Sequence, residues 1–158
     1  MKQVFLLFTV VGIYACTSKP TITEAAQTST IAKSTVASSE TICYLKTEGP
    51  DSIKVQLILN GDKVTGIMHW MPAEKDGAYG TLAGRRVGDS IFVDYNFVIE
   101  GDNEIESKIF ILKPDKLIEL SGELEQKNGK SVMIHPEKAK QGDVLLKADC
   151  SKMQFDYE

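Results

Sequence analysis

The sequence predicts an all-β fold: an antiparallel up-and-down meander of about eight strands closing into a small barrel. Three observations carry this prediction. Short runs of alternating apolar and polar residues recur along residues 42–150, and no stretch holds a helical period. Most of these runs are joined by tight turn signals, which makes their links local hairpins. Two cysteines, Cys43 and Cys150, stand at the two ends of the region. A bridge between them would lay the first and last strands side by side, as in a closed barrel.

Taken in order, Ile42–Thr47 reads as the first strand, and Glu48-Gly49-Pro50-Asp51 as a turn. Ser52–Leu59 alternates cleanly, with Ile53, Val55, Leu57 and Leu59 on one face. Asn60-Gly61 is a strong hairpin signal. Val64–Trp70 follows, with Val64, Gly66, Met68 and Trp70 on the same face as the Ile53 set. Met71–Ala78 is a loop. Four strands then fill Tyr79–Leu124, with turns expected at Gly88-Asp89, Gly101-Asp102-Asn103 and Pro114-Asp115. Asn128-Gly129 turns the chain into a short strand, Ser131–His135, and Val144–Cys150 is the closing strand.

Because strand side chains alternate between faces, turn length fixes which set points inward. The first turn sets Arg86 opposite Ile91 and Leu82 opposite Tyr95. A three-residue second turn sets Ile99 opposite Ile105 and Tyr95 opposite Ile109. The third sets Ile111 opposite Ile118. This count sends Met68, Trp70, Tyr95, Phe97 and Arg86 inward, where they are candidate contacts for a small ligand. Gly66, Gly80, Gly84 and Gly122 share that face, where they either let the strands coil or leave a cavity. The same count sends Phe92, Phe110, Leu112 and Leu117 outward, as a candidate partner patch. The tail residues Met153, Phe155 and Tyr157 could cover such a patch. The pairs Glu104/Glu106 and Glu119/Glu123 are also sent outward.

The first residues specify a location. After Lys2, Val4–Tyr14 is an apolar run of signal-peptide length, too short to span a membrane. It ends in Ile13-Tyr14-Ala15-Cys16. This resembles the lipobox of bacterial lipoproteins, in the looser form found in Bacteroidota, with Tyr14 in place of the small residue of stricter versions. The resemblance implies cleavage before Cys16, lipid on that cysteine and stable membrane anchoring. Asp after the lipidated cysteine resembles an inner-membrane retention signal in proteobacterial lipoproteins, and Thr17 stands there instead. An outer-membrane anchor facing the periplasm is the expectation. Export would place Cys43 and Cys150 in an oxidising compartment, where such a pair is normally bridged; the alternative is two free buried thiols. The implied organisation is a signal peptide over 1–15, a lipidated Cys16 with a Ser/Thr-rich tether over 16–41, a barrel over 42–150 and a tail over 151–158. The tether is too polar to bury enough surface to offset its own ordering entropy.

A net charge of −4 argues against nucleic acid as partner. No nucleophile elbow, zincin motif or phosphate loop occurs, and with only His69 and His135 there is no case for a histidine-rich zinc site. Met68-His69-Trp70-Met71 suggests Cu(I), but alternation splits it between two faces, so core Met and Trp beside a surface histidine is preferred. No catalytic residue, metal or cofactor is expected. In architecture the predicted barrel resembles the calycin type, such as lipocalins, whose interior has room for packed side chains or one small ligand. The leading expectation is a non-enzymatic envelope module that binds a small apolar or anionic ligand, or a protein on its outer face. The alternatives are an inhibitor of a cell-wall hydrolase, since membrane-bound lysozyme inhibitors are similar lipoproteins, and a structural envelope protein.

Overall fold

A computed structural model describes residues 38–155, within a unit spanning Thr35–Glu158. The lipobox with Cys16, most of the tether, and Tyr157 lie outside the described residues. Ten strands follow in order: β1 Glu40–Glu48, β2 Asp51–Asn60, β3 Lys63–Met71, β4 Ala78–Val87, β5 Ser90–Ile99, β6 Asp102–Leu112, β7 Lys116–Ser121, β8 Leu124–Lys127, β9 Lys130–Met133 and β10 Lys140–Ala148. Neighbours β1 to β7 pair antiparallel, β7 pairs with β10, and β10 pairs with β1. These eight strands close into an up-and-down barrel, as the turn pattern predicts. The remaining two, β8 and β9, form a hairpin inserted between β7 and β10. Its one ladder pairing with the wall is a parallel bridge, Glu106 to Ser131, and Lys130 also pairs with Asp94 of β5 at 2.6 Å.

The bridge between Cys43 and Cys150 is present, with Cα atoms 5.2 Å apart across 107 residues of sequence. It joins β1 to the turn that follows β10. Cys43 pairs with Ala148 in the same ladder, so the bond clamps the seam where the barrel closes.

In β2 the alternation holds: Ile53, Val55, Leu57 and Leu59 are buried and their neighbours are not. The β2–β3 turn falls one residue later than Asn60-Gly61, because Asn60 pairs with Lys63. The β4–β5 register is the one predicted, with Arg86 opposite Ile91 and Leu82 opposite Tyr95. Gly80 and Gly84 stand where β4 crosses close to β5. A Cβ at either would strike the backbone of Asn96 and Phe97, or of Phe92 and Val93. These glycines therefore serve close strand approach, which lets a small barrel coil.

The β5–β6 turn departs from the prediction. Ile99 pairs with Asp102, leaving only Glu100 and Gly101 in the loop. Both have positive φ, 52° and 86°. Positive φ at both central residues is the signature of a type I′ turn, whose twist matches that of the flanking strands. The predicted three-residue turn at Gly101-Asp102-Asn103 is thus one residue shorter and begins one residue earlier. An odd change in register exchanges the two faces of the strand. Tyr95 pairs with Glu106 and Ile91 with Phe110, where Ile109 and Ile111 were expected opposite Tyr95 and Val93. The β6–β7 turn keeps its predicted register, Ile111 opposite Ile118 and Ile109 opposite Leu120, so β7 is exchanged along with β6.

The interior is consequently in two parts. One end is packed solid by Tyr44, Leu57, Val64, Leu82, Ile91 and Phe110, none more than 1% exposed. Outside that layer a recess opens beside Arg86, and the other end carries a cavity.

Candidate functional site

The exchange of faces in β6 and β7 builds this cavity. It turns Glu106 and Lys108 of β6, and Glu119 of β7, into the barrel. Alternation brings Met68 and Trp70 from β3, and Tyr95 and Phe97 from β5, the strand paired with β6. A register shift between Gln141 and Val144 in β10 brings Asp143 to the rim. The cavity holds about 270 Å³, with Ile53, Ala78 and Ile99 completing its apolar surface. A smaller recess of about 80 Å³, lined by Lys46, Glu48, Asp51 and Ser52, adjoins it and shares Ile53, Trp70 and Asp143.

Lys108 is the centre of the polar side. Its side chain is 11% exposed. Its Nζ donates to Glu119 Oε1 at 2.7 Å and to Glu106 Oε1 at 2.9 Å. The ammonium also sits 5.9 Å from the centre of the Tyr95 ring, within cation–π range. Burial works against the charged form of Lys108. The carboxylates, Glu119 foremost, outweigh it, so its pKa lies above the ordinary value. Each carboxylate thus gives one oxygen to the ammonium, and no donor among the described residues is recorded on the second.

The aromatic side is rigid. Tyr95 stacks on Phe97 with centroids 4.5 Å apart and planes 13° from parallel. Its hydroxyl donates to the Met68 carbonyl at 3.0 Å, which pins the ring against β3. At the rim, Lys46 donates to Asp143 at 2.6 Å and pairs with Glu48 at 3.0 Å. The bond to Asp143, then that to Glu48, raise its pKa to about 12.

Four of the five residues predicted to meet a ligand, Met68, Trp70, Tyr95 and Phe97, converge on this cavity. Arg86 does not. It lies at the packed end in a groove with Tyr44, Leu112 and Lys147, and its Nε donates to the Gly88 carbonyl at 2.7 Å. The predicted outer patch does not form. Phe110 and Leu117 are fully buried in the core and Leu112 packs against it, because their strands are exchanged. Of that set only Phe92 faces out, 40% exposed, in a groove with Ile109, Val132 and Met133. Phe155 of the tail covers His69 instead, with ring centroids 5.2 Å apart; Tyr79 flanks the same ring at 5.8 Å. His69, expected at the surface, is 3% exposed. Burial, then the charge of Lys54, depress its pKa. It does point away from Met68, as alternation requires.

Sequence reasoning sent Glu106 and Glu119 outward, which the register of β6 and β7 corrects, and missed Lys108 and Asp143. For Glu106 and Lys108 a signal was present. A charged residue at every second place among isoleucines, as in Glu104–Ile111, fits a polar lumen as well as a polar exterior. Comparisons with protein-family models, curated proteins and solved structures found no match for the chain.

Proposed function

We propose that this protein is a non-enzymatic binding module of the bacterial envelope, anchored by lipid on Cys16 at the outer membrane and facing the periplasm. Its ligand is a small molecule held in the mouth of the barrel. One observation carries the reading. A barrel of this size can be filled by side chains from end to end. Here a packed layer leaves both ends open: one as a cavity of about 270 Å³ lined by aromatic and charged side chains, the other as a recess of about 430 Å³ beside Arg86. Charged side chains in a barrel lumen cost stability unless they are paired, and packed apolar residues would fill the same space without that cost. The disulfide fits an oxidising compartment, and the lipobox resemblance supports anchoring. The anionic ligand expected from the sequence rested on Arg86, which the fold places at the opposite end.

The test is native mass spectrometry of the full-length protein extracted from envelopes in detergent. The expected result is a retained adduct lost on Trp70→Ala. An empty barrel that also takes up none of a library of small metabolites overturns the binding reading. Loss of lipid labelling in Cys16→Ser checks the anchor separately.

A further inference from the structure

The lining of the mouth defines the charge of what it binds. We propose that the ligand is a small organic cation, an ammonium group on a compact apolar body. This inference rests on the binding reading above and goes further by fixing the chemical class.

Charge balance is the first argument. The cavity is lined by three carboxylates, Glu106, Glu119 and Asp143, and by one ammonium, Lys108. Asp143 is engaged by Lys46 at the rim. Glu106 and Glu119 share the single charge of Lys108, each through one oxygen. One negative charge is left over in a part-buried space, where ions are stable only when paired. A monovalent cation completes the balance. An anion would enlarge the deficit, and a neutral ligand would leave it.

The second argument is the wall. Trp70 and Phe97 line the same space as the carboxylates, and Tyr95, 2% exposed, backs Phe97 by stacking on it. Aromatic faces together with carboxylates recognise organic ammonium groups, the rings through their negative faces and the acids through charge. Lys108 already demonstrates the fit from within. It is an alkylammonium lying between two carboxylates and over the Tyr95 ring. Among the described residues no three His, Cys, Asp or Glu side chains converge closely enough to hold a metal ion, so a bare metal cation is not the match. The volume lies just below the roughly 300–1,000 Å³ of pockets that take drug-sized ligands, which calls for a compact molecule.

The third argument is the approach. Of the loops at this end, those linking β1 to β2, β3 to β4 and β5 to β6, with the strand ends beside them, carry Glu48, Asp51, Glu74, Asp76, Glu100 and Asp102 against Lys46 and Lys75. Such a rim raises the local concentration of cations and speeds their entry at low salt.

Trp70 is the only tryptophan in the chain, so its fluorescence reports on this cavity and on the two recesses that it also lines. The experiment titrates the full-length protein in detergent with choline, with n-butylammonium, with 3,3-dimethylbutan-1-ol, the neutral isostere of choline, and with butyrate. The expected result is a saturable change with the two cations and binding of the alcohol weaker by about tenfold or more. Glu119→Gln and Glu106→Gln, each checked for native circular dichroism, are expected to weaken cation binding by about tenfold. If the alcohol binds as tightly as choline, or butyrate binds best, the cation class is overturned while the binding reading stands. If no probe perturbs Trp70, the cation class is again overturned, and the adduct seen or not seen by native mass spectrometry decides the binding reading on its own.

Discussion

Lys108 is the residue on which the mouth depends. Removing one partner from a buried ionic group leaves uncompensated charge, at a cost of about 3–5 kcal/mol. Lys108→Met strands two carboxylates, so a loss of that order is expected in urea unfolding. Combining it with Glu106→Gln and Glu119→Gln should restore most of the stability, because no buried charge is then left alone. A triple variant no more stable than Lys108→Met would show that the cluster is not energetically coupled. Titration gives a second prediction. Burial, with Glu40 adding to it and Arg86 opposing, raises the Tyr44 pKa to about 12, and Lys46 rises to about 12 through Asp143 and Glu48. Lys108 is raised as well. Groups with raised native pKa values contribute stability that is complete below their ordinary values and lost as pH climbs through the native ones. Stability should therefore fall between about pH 10 and 12. His69 is shifted the other way, so its contribution is present above 6.5 and is lost as pH falls through its depressed pKa. Thermal melts across pH should show a plateau bounded by these two limits; a midpoint still rising above pH 10 would contradict the assignment.

At the scale of elements, the β5–β6 turn decides what the barrel contains. Glu100 holds φ at 52° without the advantage that Asn has there. Glu100→Asn should raise stability by about 0.5 kcal/mol and leave the register alone. Inserting a glycine after Gly101 should push β6 towards the register read from the sequence, turning Phe110 out and the Lys108 cluster with it. Loss of cooperative unfolding is the expected outcome. In β4, Gly84→Ala would drive a Cβ into the Phe92 carbonyl and the Val93 Cα, both fixed backbone. A loss of about 1–3 kcal/mol is expected on denaturant unfolding. These elements also show what the sequence discloses. β2 was legible because all of its apolar residues but Ile58 occupy one face. The segment Ile109-Phe110-Ile111-Leu112 is apolar at every position, so either parity satisfies it. A turn shorter by one residue then chooses, and Glu is a weak advertisement for positive φ. The β8–β9 hairpin shields part of the outward set of β6 through Val132 and Met133, a tertiary cover that periodicity cannot report.

Over the whole molecule, closure rests on the seam between β1 and β10. A bridge spanning 107 residues restricts the unfolded chain strongly, by roughly 4–5 kcal/mol in the chain-entropy account. Cys43→Ser with Cys150→Ser should lower stability by about that amount, and reductant should reproduce the effect in the wild type. A double variant as stable as the parent would mean that the β1–β10 ladder holds the seam unaided. The meander and the closure were legible because local turns and paired cysteines report topology directly. The lumen was not, since its character turned on a single register.

Strand β1 starts beside Leu59, at the packed end. The chain therefore enters the barrel at the end opposite the mouth, and the first described strand reaches the mouth only at its far end, so the opening is framed by hairpin loops alone on that side.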